Sequence, residues 1–240
     1  DGQTDRGALL VSLAADGSEL LASPLTPSFW RPVTDNDYGA SLQVSRRDWR
    51  EAGSRMRPVR EPMAADGAVE VDLGWDAPVQ AAEDQMGQLG LALQGATLRI
   101  RYDLSAEQGL RVEAWWRPLG AGGNATEARR LDGPARVGFV ADLVPGLEEV
   151  EWFGPGPHES YVDRHTSARV GLHGGSIAGQ TFRYARPQEN GNKHEARWML
   201  LRGGAGGPGL LVAAASPSLA LGMQCHRFRL SDFDGPQRKE

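Results

Sequence analysis

The sequence has only one cysteine, Cys225, among its 240 residues. Neither sign of charge is in large excess, with 31 acidic residues and 26 lysines and arginines. One thiol excludes an internal disulfide framework and a cysteine zinc site, and its alternating apolar surroundings predict a buried structural thiol. No apolar run approaches the roughly 20 residues that span a bilayer. A net charge of −5 gives no electrostatic reason to bind nucleic acid. From these absences we expect no nucleic-acid partner and no membrane partner.

Helical patterns are scarce as well, whereas glycine and proline are plentiful, at 31 and 15 residues. This punctuation suits short strands joined by turns. Only residues 45–53 have a helical pattern, with Ser45 as a candidate N-cap and Gly53 as the residue that ends the helix.

Alternation of apolar and polar residues predicts strands along most of the chain. The clearest pair is 97–104 and 110–116, an antiparallel hairpin with one buried face. Trp115 and Trp116 are neighbours in it, so one of them is predicted to face outward or into another domain. Other strands are predicted at residues 9–14, 19–23, 69–75, 136–143, 149–154, 196–202, 209–216 and 220–228. So many strands imply an all-β fold of two large, mainly antiparallel sheets.

Aromatic, glycine, proline, acidic and amide residues are concentrated in three segments. They are FWRPVTDNDYG (29–39), VEWFGPGPHESYVDR (150–164) and YARPQENGN (184–192). In the first, Asp35, Asn36 and Asp37 offer oxygen ligands to a cation, but the later bidentate glutamate of a calcium loop is missing. A turn held by side chain–backbone hydrogen bonds is the favoured interpretation.

In the second segment, Glu159 and Asp163 stand four residues apart, and paired carboxylates are the machinery of glycosidases. However, Pro155 and Pro157 make the stretch before Glu159 extended, and a neighbouring Arg164 favours a permanently ionised carboxylate. We therefore favour a rigid corner held by a contact between the carboxylate and the arginine.

In the third segment, Gln188, Glu189 and Asn190 can hydrogen-bond either sugar hydroxyls or backbone groups of the protein. The structural interpretation is favoured. An exposed aromatic platform beside residues 188–192 would instead favour a carbohydrate-binding module.

The order and spacing of the three segments resemble the C-terminal small-chain domain, domain 5, of bacterial β-galactosidases of glycoside hydrolase family two. The resemblance covers roughly residue 26 to the end. It implies a supersandwich fold like that of galactose mutarotases, with residues 1–240 forming one such domain. Relatives continue with a GGDxSW motif that stacks on the galactoside. We therefore expect a fragment that lacks the C-terminal end of the domain and has exposed strand edges near residues 228–240.

The resemblance also implies a function. The parent enzyme would hydrolyse terminal β-D-galactosides with retention, using two glutamates on a TIM barrel that this chain lacks, so the fragment alone is expected to be inactive. The domain would form part of the pocket wall and pack on the barrel. Its contribution at the pocket rim would be a loop of Gly39, Ala40, Ser41 and Leu42.

The remaining motif residues are expected to be structural, and the chain departs from the family pattern at Ser160, where asparagine is common, and at Val162, where proline is common. No cofactor is expected in this chain, and any magnesium or sodium would be held by other domains of the parent. The partners implied are the β-galactoside, through the full enzyme, and the barrel of the same chain, in a parent that can be a homo-oligomer.

Two alternatives stay open at this point: a stand-alone carbohydrate-binding or mutarotase-like module, and a purely structural domain that mediates oligomer contacts. The location of the parent is unknown from the sequence, with the cytoplasm favoured over the periplasm.

Overall fold

The computed structural model describes residues 9–40, 49–76, 95–119, 134–204, 207–216 and 218–233. Most regular elements in these ranges are strands, and two short α-helices and two 3-10 turns (Ile177–Gln180 and Leu230–Phe233) accompany them. In chain order the strands and helices are β1 (Ala14–Ala15), β2 (Ser18–Glu19), β3 (Thr26–Ser28), α1 (Asp35–Gly39), α2 (Trp49–Arg55), β4 (Arg57–Pro58), β5 (Met63–Ala65), β6 (Ala68–Asp76), β7 (Gly95–Ser105), β8 (Gly109–Leu119), β9 (Gly138–Val140), β10 (Leu147–Gly156), β11 (Arg169–Ser176), β12 (Lys193–Ala196), β13 (Trp198–Gly203), β14 (Gly209–Ala213) and β15 (Leu221–Met223).

The described strands form two larger sheets and three small ones. One sheet has five strands, in the order β4-β6-β7-β8 with β5 also pairing β6, and another has four, in the order β11-β10-β13-β14. The pairs β1–β2, β3–β9 and β12–β15 make the two-stranded sheets, and every recorded pairing is antiparallel. The predicted all-β fold with mainly antiparallel sheets is confirmed. No helix in the described ranges is long and apolar enough to cross a bilayer.

By its contacts the chain divides into two compact units, each made of three chain segments. The first consists of Asp1–Leu10, Leu25–Arg31 and Asn36–Val140, and the second of Val11–Pro24, Pro32–Asp35 and Ala141–Glu240. The extent of the predicted single domain over residues 1–240 stays a prediction.

The first unit is built on the five-stranded sheet, and the predicted hairpin forms two of its strands, with β8 at one edge. β7 and β8 pair with Leu98 opposite Trp116 and Ile100 opposite Ala114, so alternate residues of both strands enter the core. That core is rich in aromatics; its buried members are Phe29, Trp49, Ala52, Met56, Val71, Leu73, Trp75, Ala96, Leu98 and Ile100.

The opposite face of this sheet carries charged pairs and one large aromatic side chain. Asp72 on β6 bonds Arg99 on β7 at 2.7 Å, and Arg99 lies opposite Trp115 on β8. Trp115 is 52% exposed, while Trp116 packs against the core. The prediction that one of the two tryptophans faces outward is confirmed.

The second unit is built on the four-stranded sheet, and its core is smaller and less aromatic. The buried members are Val150, Trp152, Ile177, Ala196, Met199, Leu201 and Met223, with Leu143, Leu147 and Cys225 packed against them. Trp152 is the only aromatic ring among these buried members, so loops with polar residues have a larger part in holding this unit together.

The helix prediction needs two corrections. α2 continues to Arg55, two residues beyond the predicted end at Gly53, while Ser45 lies outside the described residues. Gly53 lies inside the helix and does not end it. A glycine is needed there for close packing, because an added Cβ would come within 1.7 Å of the carbonyl oxygen of Pro27. The second correction is α1, which forms where a turn was predicted at residues 35–37.

Several strand predictions were wrong in length or missed an element. Residues 9–14 and 19–23 contribute only β1 and β2, around a turn in which Asp16 and Gly17 have φ of 49° and 77°. Residues 136–143 and 220–228 shrink to three-residue strands. The edge strand β11 was missed because its glycines interrupt the alternation of apolar and polar residues that predicts a strand. The strand edge expected near residue 228 is absent over the described residues, since Leu230–Phe233 is a 3-10 turn.

Candidate functional site

The second and third sequence motifs meet in the second unit through bonds between Ser160 and Asn192. The Ser160 amide donates to the Asn192 carbonyl oxygen at 2.8 Å, and Asn192 Nδ2 donates back to the Ser160 carbonyl oxygen at 2.8 Å. The His194 amide donates to Ser160 Oγ at 3.0 Å, and the Ser160 side chain is fully buried. The Ser160 hydroxyl thus satisfies the amide of His194, two residues after the third motif.

The Glu159 carboxylate is the centre of this junction. It accepts hydrogen bonds from the Arg164 guanidinium and the Tyr184 hydroxyl, from the Gly191 amide at 2.8 Å, and from the Tyr161 hydroxyl at 3.4 Å. Its side chain is only 13% exposed. The contact predicted between Glu159 and Arg164 is present, and four donors from two motifs hold the carboxylate as an acceptor.

Asp163, the other carboxylate considered for catalysis, is placed differently. The backbones of Tyr161 and Arg164 bond each other in both directions at 3.0 Å, which closes a tight turn with Val162 and Asp163 at its tip. Asp163 is exposed. The hydrogen-bond partners of Glu159 are the donors named above, an arginine, two tyrosines and a backbone amide.

The electrostatics keep the donors of this cluster protonated. Burial, and then the nearby Glu189 and Glu159 charges, raise the pKa of Tyr161 well above its ordinary value. Burial and the bond to Glu159 raise the pKa of Tyr184, and the bond that Arg164 donates to Tyr184, together with the Glu159 charge, raises the pKa of Arg164 despite some burial. The raised pKa values favour the protonated, hydrogen-donating form of both phenols.

The third motif binds the backbone of a neighbouring segment through Asn190. The Phe182 amide donates to Asn190 Oδ1 at 2.8 Å, and Asn190 Nδ2 donates to the Phe182 carbonyl oxygen at 2.6 Å. His226 Nε2 donates to the Asn190 carbonyl oxygen at 3.1 Å. Asn190 and Glu189 are 4% and 3% exposed, and Gln188 is half-buried. Asn190 thus satisfies backbone groups, which is the interpretation that the sequence favoured.

The first motif contributes two separate ion pairs. Asp37, in the first unit, bonds Arg31 at 2.5 and 3.0 Å, whereas Asp35, in the second unit, lies 3.6 Å from Arg186. Asn36 accepts the Ala40 amide at 3.1 Å through its backbone, at the end of α1. Each aspartate therefore faces an arginine.

Two of the four residues predicted to form the loop at the pocket rim lie within the described ranges. Gly39 and Ala40 are exposed residues at the end of α1, and Ser41 and Leu42 lie outside the described residues. Its role stays a prediction. Over the described part of the chain, no three His, Cys, Asp or Glu side chains are grouped so as to hold a metal ion.

Sequence reasoning assigned no role to Phe182, Tyr184 or Lys193. Lys193 is buried with its Nζ 4.4 Å from the centre of the Trp152 ring and donates to the Pro157 carbonyl oxygen at 3.5 Å. Burial lowers its pKa, and burial raises the pKa of the nearby Cys225 thiol to about 11. Tyr184 is the first residue of the third motif and Lys193 directly follows it, which was a usable signal, whereas nothing local to Phe182 marks it.

These features define an all-β chain in which polar and charged side chains of the three motifs are tied by hydrogen bonds and ion pairs. A family model described as beta galactosidase small chain matches residues 3–239, and the chain belongs to that family.

Individual relatives agree with the family match. The chain is 29% identical over 196 residues to a "Beta-galactosidase" of Priestia megaterium, which covers 80% of this chain and 16% of the relative. It is 34% identical over 202 residues to a "Beta-galactosidase" of an Arthrobacter species, covering 79% and 18%. A "Beta-galactosidase" of Lactobacillus delbrueckii subsp. bulgaricus is 31% identical over 199 residues, covering 82% and 17%. The chain thus spans less than a fifth of the length of these relatives.

Proposed function

We propose that this chain is the C-terminal domain of an enzyme that hydrolyses terminal β-D-galactosides with retention of configuration. The family match over residues 3–239, to a segment that makes up only 16% to 18% of relatives named β-galactosidase, carries the proposal. In it, this domain forms part of the pocket wall and packs on a catalytic barrel elsewhere in the parent chain. We expect no cofactor in the domain itself, and the parent can be a homo-oligomer.

The expected inactivity of the domain alone follows from the chemistry of retention. A retaining glycosidase needs a nucleophilic carboxylate and an acid/base carboxyl about 5 Å apart. Glu159 accepts hydrogen bonds from an arginine, two tyrosines and a backbone amide, so these contacts use its carboxylate as a fixed acceptor. This arrangement supports a positioning role for the cluster.

A chimera tests the proposal. The matching 196-residue segment of the Priestia megaterium β-galactosidase is replaced by this chain, with a deletion of the same segment as control. We expect the chimera to hydrolyse a chromogenic β-galactoside about 100-fold or more faster than the deletion, and the released galactose to keep the β configuration by NMR. The 240-residue chain alone should be inactive. Turnover by the chain alone, or a deletion as active as the chimera, would contradict the proposal.

A stand-alone carbohydrate-binding module is the second candidate, and one observation favours it. Phe182 is 63% exposed, lies 4.8 Å from the Tyr184 ring centre to centre, and is bonded to Asn190 of the third motif. This is the exposed aromatic surface beside residues 188–192 that such a module requires. Sugar binding by the chain, together with a chimera no more active than the deletion, would favour this candidate.

A further inference from the structure

The exposed ring of Phe182 packs against the half-buried ring of Tyr184, and polar contacts hold both residues. Their ring centres are 4.8 Å apart with planes at 60°, and Phe182 is 63% exposed. Leaving such a ring in water forgoes the free energy of burying it, so this exposure calls for an explanation. Scattered surface aromatics can be incidental. A pair of aromatic residues held by buried polar groups is not such a scattered surface aromatic.

The two rings are fixed by separate anchors. Both backbone groups of Phe182, its amide and its carbonyl, bond the side-chain amide of Asn190, which is only 4% exposed. The Tyr184 hydroxyl bonds Glu159 and accepts from Arg164 Nη2 at 3.2 Å. Because the anchors hold the pair before any ligand arrives, binding there would cost little additional ordering of the protein.

We infer that Phe182 and Tyr184 form a subsite that binds a pyranose ring of a β-galactoside; the choice of sugar rests on the proposed function. A pyranose has a face of C–H bonds and a rim of hydroxyls. The slightly positive C–H groups contact the negative face of an aromatic ring. In galactose the axial hydroxyl at C4 leaves the opposite face as a continuous C–H surface, which suits an exposed ring such as Phe182.

Arg164 supplies the polar side of the subsite. Its side chain is 58% exposed, and within the described residues its contacts to Glu159 and Tyr184 both use Nη2. A guanidinium has five N–H donors, so others remain for hydroxyl oxygens of a sugar.

Two arginines near the pair face carboxylates, while Arg183, between the two rings in sequence, is exposed. Arg164 is balanced by Glu159, and Arg186 lies 3.6 Å from Asp35. Two rings also match the size of one sugar, whereas a stable protein interface buries about 800 Å² on each partner. We therefore place a sugar, not a protein, on this pair.

Trp115 provides a matched comparison on the same chain. It is 52% exposed but lies in a row of the five-stranded sheet with the Arg99–Asp72 ion pair and has no recorded aromatic neighbour among the described residues. If any exposed aromatic ring were sufficient, Trp115 would bind sugar as well as Phe182.

The test is a titration of the 15N-labelled 240-residue chain with methyl β-D-galactopyranoside, followed by NMR. For a ligand of this size we expect a Kd of about 1 mM. Phe182→Leu keeps an apolar side chain but removes the ring, and it should weaken binding about tenfold. Phe182→Trp should keep binding, as should Trp115→Leu. Since Phe182 is an exposed side chain, these variants should fold, which the amide spectrum reports directly.

Absence of binding well above the expected Kd would overturn the subsite, and so would equal binding by Phe182→Leu and the unchanged chain. Loss of binding in Trp115→Leu would place the sugar site on the five-stranded sheet, which would overturn the subsite at Phe182 and Tyr184 as well.

The chimera separates this inference from the proposed function. In an active chimera, Phe182→Leu should raise KM about tenfold with little change in kcat, because the ring binds substrate and transition state alike. A lowered melting temperature with unchanged KM would show that the ring packs against protein, which overturns the subsite while the proposed function stands. An inactive chimera would reject the proposed function, and the titration would still decide whether the subsite exists.

Discussion

Each of the two units of this chain is stabilised internally by a different kind of contact. In the first, four aromatic rings pack in one apolar core: Phe29 lies 5.6 Å from Trp49, and Trp49 lies 5.0 Å from Trp75 and 6.0 Å from Trp116. In the second, the motif loops are joined by polar contacts around Glu159. Apolar packing depends on shape and volume, whereas a buried polar cluster depends on each donor meeting an acceptor. The two units should therefore fail under different substitutions.

Gly53→Ala should have the largest effect, in the first unit. The added Cβ would come within 1.7 Å of the Pro27 carbonyl oxygen, and since that oxygen belongs to the backbone, α2 or β3 must move. We expect a loss of about 3 kcal/mol or more in unfolding free energy. Hydrogen exchange followed by mass spectrometry should show faster exchange in β6, β7 and β8.

Gly138→Ala is the matched control, because Gly138 lies in β9, which pairs β3, and has open space around its Cβ position. It should change stability by less than about 0.5 kcal/mol. Equal effects of the two alanines would contradict the close-packing role of Gly53.

Glu159→Gln should have the next largest effect, in the second unit. The substitution keeps the shape but turns one acceptor into a donor that faces the Arg164, Tyr184 or Gly191 donors. We expect a loss of about 2 kcal/mol in urea unfolding, with faster exchange in the loops of the second and third motifs. Glu151→Gln, which breaks an exposed pair with Arg202 at 3.3 Å, is the control and should cost about 0.5 kcal/mol or less. A Glu159 variant as stable as this control would show that the polar cluster does not hold the unit together.

Glu19→Gln should have the smallest effect, and it should depend on pH. Bonds from the Ser12 hydroxyl and the Leu21 and Leu13 amides lower the pKa of Glu19 to about 2, from an ordinary value of 4.5. Because the folded pKa is the lower one, this contribution to stability is present above pH 4.5 and is lost as the pH falls toward 2. The melting temperatures of the two proteins should differ at pH 7 and converge near pH 2. A constant difference across this range would contradict the assignment.

The first unit was largely predictable from local pattern. The alternation in residues 97–104 and 110–116 predicts which side chains enter the core, because side chains of a strand alternate strictly between the two faces. The pairing of Leu98 with Trp116 and the exposure of Trp115 follow from that rule. Gly53 shows its limit: a helix pattern cannot reveal that a carbonyl group 26 residues earlier in the chain, that of Pro27, passes against the glycine.

The second unit was predictable only in parts. The sequence indicated the Glu159–Arg164 contact, since the two residues are five apart and joined by a tight turn. It did not indicate that Tyr184 would complete the cluster from 25 residues away, or that Asn190 would anchor Phe182. β11 was missed for a related reason: its glycines leave no apolar alternation, and its partner β10 supplies the pairing.

Composition and alternation were therefore enough for the all-β class, the β7–β8 hairpin and the outward tryptophan, and the three motifs were enough for the family. These features follow from backbone geometry, which acts between residues close in the chain. The junction of the second and third motifs, the burial of Lys193 over Trp152 and the anchored pair of Phe182 and Tyr184 depend on the tertiary structure. They arise because folding brings donors and acceptors from distant segments within bonding distance, and no local pattern encodes that distance.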